Sequence, residues 1–159
     1  MLIREMTLED IPQAAAIEKQ CFSQPWSEKS FQDSLAREDT LFLVCEEQNS
    51  GNHSRITGYI GMYISFEEAD ITNVAVSPSH RQKGCGNALV ASAIQKAKEK
   101  QIERIFLEVR ISNVPAISLY KKMGFENLGT RKDFYDYPKE DAYIMSCEIS
   151  DNHFVCDGV

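Results

Sequence analysis

The stretch from Ile71 to Asn87 constrains this chain more than any other. Ile71 to Val76 reads as a strand that stops at Ser77-Pro78, because proline offers no N–H to continue a ladder. Arg81-Gln82-Lys83-Gly84-Cys85-Gly86-Asn87 then opens a helical pattern in which Leu89, Val90, Ala93, Ile94 and Ala97 share one face. A strand, a glycine-rich turn and a helix in that order place backbone N–H groups and the positive end of a helix together, an arrangement that holds phosphate oxygens. Gly-x-Gly alone fits an ordinary structural turn equally well. The dinucleotide fingerprint is incomplete, since Leu89 stands where its third glycine belongs, and the Gly-Lys-Ser/Thr of a triphosphate loop is missing.

The flanking pattern predicts alternating strands and helices. Leu2 to Met6 reads as a strand, and Thr7 with Asp10 three residues on resembles a capping box ahead of a helix carrying Ile11, Ala14, Ile17 and Cys21 on one face. Pro25-Trp26 interrupts, and Ser27 can cap a second helix with Phe31 and Leu35 one turn apart. Leu41 to Glu46 and Ile56 to Ser65 read as antiparallel strands around a polar loop from Gln48 to Arg55, with a turn over Phe66 to Ala69. Arg104 to Val109 is the next strand. Ser112-Asn113 caps a short helix with Pro115 in its first turn and Gly124 as its stop. Phe125 to Leu128 and Tyr143 to Ile149 form a final pair, joined by the polar and aromatic segment Gly129 to Asp141. The expectation is one domain over residues 1–150, followed by a loose tail over 151–159.

Composition narrows the function. At 159 residues and 43% hydrophobic content the chain can fill a single core. Cys21, Cys45, Cys85, Cys147 and Cys156 are scattered without Cys-x-x-Cys spacing, and His53, His80 and His153 are isolated, so no disulfide framework and no metal site are expected. No run approaches the roughly 20 apolar residues of a membrane span, and the first residues lack a signal-peptide layout. A cytoplasmic protein with no membrane partner is the expectation. A net charge of −7 disfavours direct nucleic-acid binding and would draw a basic partner, although acidity also serves solubility.

The segment Asn73-Val74-Ala75-Val76-Ser77-Pro78 followed by Arg81-Gln82-Lys83-Gly84-Cys85-Gly86-Asn87-Ala88-Leu89 resembles the acetyl-CoA motif of the GNAT superfamily, Arg/Gln-x-x-Gly-x-Gly/Ala. Leu107-Glu108-Val109-Arg110, Ser112-Asn113, Ala116-Ile117, Leu119-Tyr120 and Gly124-Phe125 resemble the C-terminal motif of RimI-type ribosomal-protein-alanine N-acetyltransferases, and Pro25-Trp26-Ser27 is similar to their substrate-side loop. The resemblance covers nearly all of Leu2 to Ile149. It implies the GNAT acyl-CoA N-acyltransferase fold, an α/β (α+β) chain whose mixed central sheet is flanked by helices. It also implies acetyl-CoA as co-substrate, held by the Val74, Ala75 and Val76 strand, by the amides of Gln82, Lys83, Gly84, Cys85, Gly86 and Asn87, and by Asn113. Asn113 equally suits a plain cap. Two positions depart from the family pattern: Cys85 replaces a branched aliphatic and Asn87 a frequent arginine, and neither removes an amide. Cys85 reads as a small packing residue or as a redox-sensitive thiol at a helix N-terminus.

A thioester is already activated, so the chain must align an uncharged amine and manage two protons. A peptide α-amine, with a reference pKa of about 7.7–8.0 against about 10.4 for lysine, needs only one carboxylate to strip it. Glu108, sharing a strand face with Phe106, suits that base, and an exposed carboxylate paired with Arg110 is the plainer alternative. By resemblance Glu108 is the proton acceptor and Tyr120 the donor to the departing thiolate, where spacing alone would read Tyr120 as core. A backbone N–H near Val76 is expected to hold the developing oxyanion. Trp26, Tyr135 and Tyr137 are candidates to line the acceptor groove. The implied acceptor is a ribosomal-protein N-terminal peptide, the N-terminal alanine of small-subunit ribosomal protein eighteen. The competing readings are acetylation of a small amine, an antibiotic or a lysine on the same scaffold, and a CoA-sensing module without turnover. Oligomeric state is not encoded in any of these patterns.

Overall fold

A computed structural model describes residues 1–49, 51 and 53–149. The predicted tail, with His153 and Cys156, lies outside the described residues.

Seven strands form one sheet in the order β1-β2-β3-β4-β5-β7-β6. They are β1 Leu2–Glu5, β2 Thr40–Gln48, β3 Ser54–Ser65, β4 Glu68–Val76, β5 Arg104–Arg110, β6 Glu126–Asp136 and β7 Lys139–Glu148. The helices are α1 Ile11–Cys21, α2 Glu28–Leu35, α3 Cys85–Glu99 and α4 Val114–Lys122. All neighbours are antiparallel except β4 and β5, which run parallel. The crossover between those two strands is α3, as a parallel pair requires. The sheet is therefore mixed, as expected.

Each sheet face has its own core. Leu89, Val90, Ala93, Ile94 and Ala97 of α3 pack on Leu43, Ile60, Ile71, Ile105 and Leu107, with Tyr120 of α4 closing that side. On the other face Ile11, Ala14 and Ile17 of α1 and Phe31 of α2 meet Phe42, Val44, Tyr59 and Ala75. Phe31 stands edge-on to Tyr59 at 5.3 Å and Phe42 at 6.2 Å, with Trp26 5.5 Å from Phe31. Such ring pairs contribute about 0.5–1.5 kcal/mol each beyond burial, and they fix the segment between α1 and α2.

The helix starts follow the sequence. Ser27 Oγ accepts the Ser30 N–H at 3.1 Å, and Asn113 Oδ1 accepts that of Ala116 at 3.3 Å. Thr7 N–H donates to Asp10 Oδ2 at 2.8 Å, but the motif opens a 3-10 turn, Leu8–Asp10, ahead of α1.

Three boundaries differ from expectation. The turn between β3 and β4 is only Phe66-Glu67, with Phe66 at φ 55°. The polar stretch Gln48 to Arg55 gives its ends to β2 and β3. Most of Gly129 to Asp141, expected as a connection, is strand: β6 and β7 form a long hairpin turning at Tyr137-Pro138. Its residues are exposed and mixed polar and aromatic, so no apolar alternation announces them, and cross-strand pairing overrides the weak local signal.

Candidate active site

The sheet splits where β4 and β5 meet. Their parallel pairing covers only Glu68↔Arg104, Ala69↔Ile105 and Asp70↔Phe106. Beyond it β4 stays with β3 as far as Val76, while β5 stays with β7 as far as Arg110. The register between β3 and β4 steps from Met62↔Ile71 to Gly61↔Asn73, leaving Thr72 as an extra residue. That bulge bends and twists β4 at the point of parting. It also switches the strand's phase. Ala69 and Ile71, and then Val74 and Val76, face the α3 core, whereas Ala75 belongs to the α1 core. The apolar spacing 69, 71, 74, 76 is the sequence signal of this bulge, and sequence reasoning missed it.

The open edge of β4 follows from the ladder. Ser77 N–H donates to Thr57 O at 2.8 Å, so alternation turns the main-chain groups of Val76 and Val74 away from β3, toward the gap. The Val76 carbonyl is met there by Arg81 Nε at 3.2 Å and the Cys21 thiol at 3.5 Å. Ala75 turns its backbone to β3 and its methyl into the α1 core, so it lies beneath the slot and does not wall it.

At the upper end of the gap, the turn from Arg81 to Gly84 carries positive φ at Gln82 (62°) and Gly84 (86°), a conformation that gathers successive amides on one side. The helical ladder of α3 begins with Ala88 N–H on Gly84 O at 3.0 Å, so the N–H groups of Cys85, Gly86 and Asn87 point out of the helix end. A Cβ on Gly86 would lie 3.3 Å from Leu119 Cδ2, so glycine keeps this seat open against α4. Gln82 and Lys83 are exposed beside it. These residues fit a diphosphate and a pantetheine arm laid along β4.

Cys85 turns inward. Its sulfur is buried 3.7 Å from Thr57 Oγ1, over Gly58, whose absent Cβ would lie 2.8 Å from it. The hydrogen bond with Cys45 and burial push the thiol well above its ordinary pKa. That favours the packing reading over a reactive thiolate.

On the β5 side, Glu108 is half-buried, its side chain 28% exposed, and its partner is Arg131 Nη1 at 3.7 Å. Arg110, the plainer partner expected from sequence, is occupied elsewhere: it pairs with Glu140 at 3.2 Å and stacks 4.2 Å over the Tyr135 ring. Tyr120 is buried, its ring 5.7 Å from Phe125. Burial and the Tyr135 hydroxyl push its phenol up. Tyr135 is itself raised by burial, against the pull of Arg110 and with the Glu108 and Glu140 carboxylates adding. Tyr135 thus lies within electrostatic reach of both Glu108 and Tyr120. Tyr137, 65% exposed, sits at the hairpin tip. The Ser23 hydroxyl, from the segment after α1, donates to its carbonyl. Trp26 is half-buried on the aromatic cluster, and its backbone N–H donates to Glu18 Oε1 at 3.2 Å.

Sequence reasoning also missed Glu18. It is 2% exposed, accepts from the Tyr59 hydroxyl and, at 3.5 Å, from Asn73 Nδ2. A glutamate amid Ile17 and Ala14 was its only signal. The network ties α1, Trp26, β3 and the bulged part of β4 together.

Residues 11–125 match the model of the acetyltransferase (GNAT) family. The chain is 39% identical over 150 residues to a putative [ribosomal protein bS18]-alanine N-acetyltransferase of Bacillus subtilis, covering 94% of this chain and 96% of that protein. It is 30% identical to the [ribosomal protein bS18]-alanine N-acetyltransferase of Escherichia coli K12, covering 93% and 97%. The crystal structure of the ribosomal-protein-S18-alanine N-acetyltransferase from Escherichia coli superposes with a TM-score of 0.83 at 32% identity, over 94% of each chain.

Proposed function

The chain belongs to the acetyltransferase (GNAT) family, and on that premise we propose that it moves the acetyl group of acetyl-CoA onto the α-amine of a protein N-terminus, the N-terminal alanine of ribosomal protein bS18. The observation that carries the acceptor is the extent of the likeness. Identity to the Bacillus subtilis protein runs over 94% of this chain, which takes in the α1–α2 segment and the β6–β7 hairpin as well as the cofactor motif. Acceptor choice resides in such peripheral segments, so a likeness confined to the cofactor half would not speak to it.

The chemistry assigns one task to each group. Val74 holds the pantetheine arm by main-chain hydrogen bonds at the open edge of β4, which Val76 continues toward the thioester, while the amides from Gln82 to Asn87 hold the diphosphate, with Asn113 at the head of α4 beside them. Glu108 takes the proton that the incoming ammonium sheds, directly or through a water, which leaves a lone pair to attack the thioester carbonyl. The Val76 N–H meets the oxygen as it gains charge. The C–S bond breaks as the oxygen's electrons return, and Tyr120 gives its proton to the leaving sulfur. Burial keeps this phenol protonated until the sulfur leaves. Trp26, Tyr135 and Tyr137 flank the entering chain end. The reaction belongs in the cytoplasm, where ribosomal proteins are made.

Mass spectrometry of an alanine-terminated peptide with the bS18 N-terminal sequence, incubated with protein and acetyl-CoA, tests this. An acetyl gain at the α-amine is expected, in competition with lysine side chains and small amines. Acetylation of those competitors alone would overturn the acceptor, and cofactor binding without any acetylated product would overturn turnover itself.

A further inference from the structure

Arg110 makes more directed contacts than any task assigned so far explains. Its Nη1 donates to Pro138 O at 2.8 Å and to Glu140 Oε1 at 3.2 Å, and its Nη2 donates to Tyr137 O at 3.2 Å. Its guanidinium covers the Tyr135 ring at 4.2 Å. The side chain is 25% exposed and its partner Glu140 15%, so the pair is screened far less than a surface pair. Glu140 in turn takes the Ser112 N–H on Oε2 at 2.8 Å. Ser112 immediately precedes Asn113, which caps the helix carrying Tyr120.

These contacts converge on one object. The hairpin tip has two anchors: Arg110, from the end of β5, and Ser23, from the segment after α1 that leads to Trp26. The tip therefore bridges the two sides of the sheet split, joining the strand end that carries Tyr135 and Tyr137 to the segment that leads from Ser23 to Trp26. At the tip Phe134, Asp136, Tyr137, Pro138 and Lys139 are exposed and only Tyr135 and Glu140 are partly buried, so little apolar burial fixes this end of the hairpin and its position depends on directed bonds. A guanidinium can serve two carbonyls, a carboxylate and a ring at once because its donors are fixed in a plane, which an ammonium cannot match.

We propose that Arg110 is the positioning residue of the acceptor site: it fixes the Tyr135–Glu140 hairpin across the opening and, through Glu140 and Ser112, in register with the start of the helix that carries Tyr120. The proposal rests on the acceptor reading of Trp26, Tyr135 and Tyr137. Arg110 touches neither substrate nor reacting atoms; it acts through the hairpin.

The test compares the full-length chain with Arg110→Lys, Arg110→Gln and Ser23→Ala, reading the KM for an alanine-terminated peptide, the KM for acetyl-CoA, and amide hydrogen exchange over Tyr135–Glu140. Both Arg110 variants are expected to raise the peptide KM about tenfold or more. The acetyl-CoA KM stays within about twofold, and exchange at the hairpin quickens. Wild-type peptide KM in Arg110→Lys would overturn the proposal, because charge alone would then suffice. An equal rise in both KM values would also overturn it, because the role would then be general to the fold. If the Arg110 variants do not fold, Ser23→Ala decides: a raised peptide KM with faster hairpin exchange supports the clamp, and no change in either overturns it. If the wild-type chain binds acetyl-CoA yet acetylates no peptide, the acceptor reading fails by itself, and hairpin exchange in the same variants still decides whether Arg110 holds the tip.

Discussion

Asp70 and Phe106 are the last partners that β4 and β5 share. Two positions further along β4, Thr72 is extruded as a bulge and the strands separate. The candidate active-site cleft is thus a defect in a sheet, and the unpaired edge of β4 is the part of it that a main-chain ligand can read. Because the alternation of the ladder sends the Val76 N–H into this gap, that donor can be removed without breaking the pairing of β4 with β3.

Val76→Pro performs that removal. Proline is tolerated where the missing N–H faces no partner strand, so folding is expected to persist. The loss of an oxyanion donor lowers kcat by about 10²–10³-fold, measured in steady state with the peptide. Unchanged kcat in a folded Val76→Pro chain would move the oxyanion contact elsewhere.

Glu108→Gln keeps the size of the side chain and removes its basicity. A fall in kcat of about 10²–10⁴-fold is expected, with calorimetric binding of acetyl-CoA retained. Full activity would remove Glu108 from its role.

Gly84 has φ 86°, and a Cβ there would meet nothing within 4 Å. Its glycine is therefore a backbone requirement, with no steric one. Gly84→Ala is expected to cost about 1–2 kcal/mol of left-handed strain, seen as a lower denaturation midpoint. Acetyl-CoA affinity falls with it, because the amides on either side lose their common direction. A variant with lower stability and unaltered affinity would show that the turn is scaffold and not seat.

The strand–turn–helix around Gly84 was legible because its residues obey local rules: proline stops the strand, glycine permits the turn, and apolar spacing marks α3. Glu108 and Tyr120 could be singled out by resemblance, but their surroundings could not. Arg131, the partner of Glu108, comes from a strand 23 positions later in sequence order that reads as a polar loop. The Thr72 bulge was written in the phase of Ala69, Ile71, Val74 and Val76, yet only pairing with Gly61 and Met62 gives that phase a meaning. Glu18 and Arg110 act through partners 55 and 28 residues distant, and no periodicity carries that kind of information.

Asp10 predicts the acid limb of stability. Burial alone would raise its carboxyl, but Arg4 Nη1 at 2.8 Å, Nη2 at 2.9 Å and the Thr7 N–H hold it below the ordinary value. A group whose pKa is depressed in the native state lends stability above its unfolded pKa and loses it as pH falls through the native one. Urea midpoints are expected to drop on acidification below about pH 4. Asp10→Asn starts about 1–3 kcal/mol lower at neutral pH and falls less steeply. An acid limb as steep in Asp10→Asn as in the wild type would assign it to other carboxylates.

Glu18 predicts the opposite slope. Burial raises its carboxyl, with the Trp26 N–H and Asn73 amide opposing. The native state therefore binds this proton more readily than the unfolded chain, so the stability attached to Glu18 increases as pH falls through its native pKa toward the unfolded value of about 4.3. Glutamine at this position keeps the oxygen that Trp26 and Asn73 share and presents its amide NH2 to the Tyr59 hydroxyl, which must turn to accept it. Glu18→Gln is thus expected to cost about 1–3 kcal/mol, with the gap to wild type wider near pH 5 than at pH 8. A stability gap that widened with rising pH would mean that Glu18 is a depressed, charge-paired carboxylate and that its donors outweigh its burial.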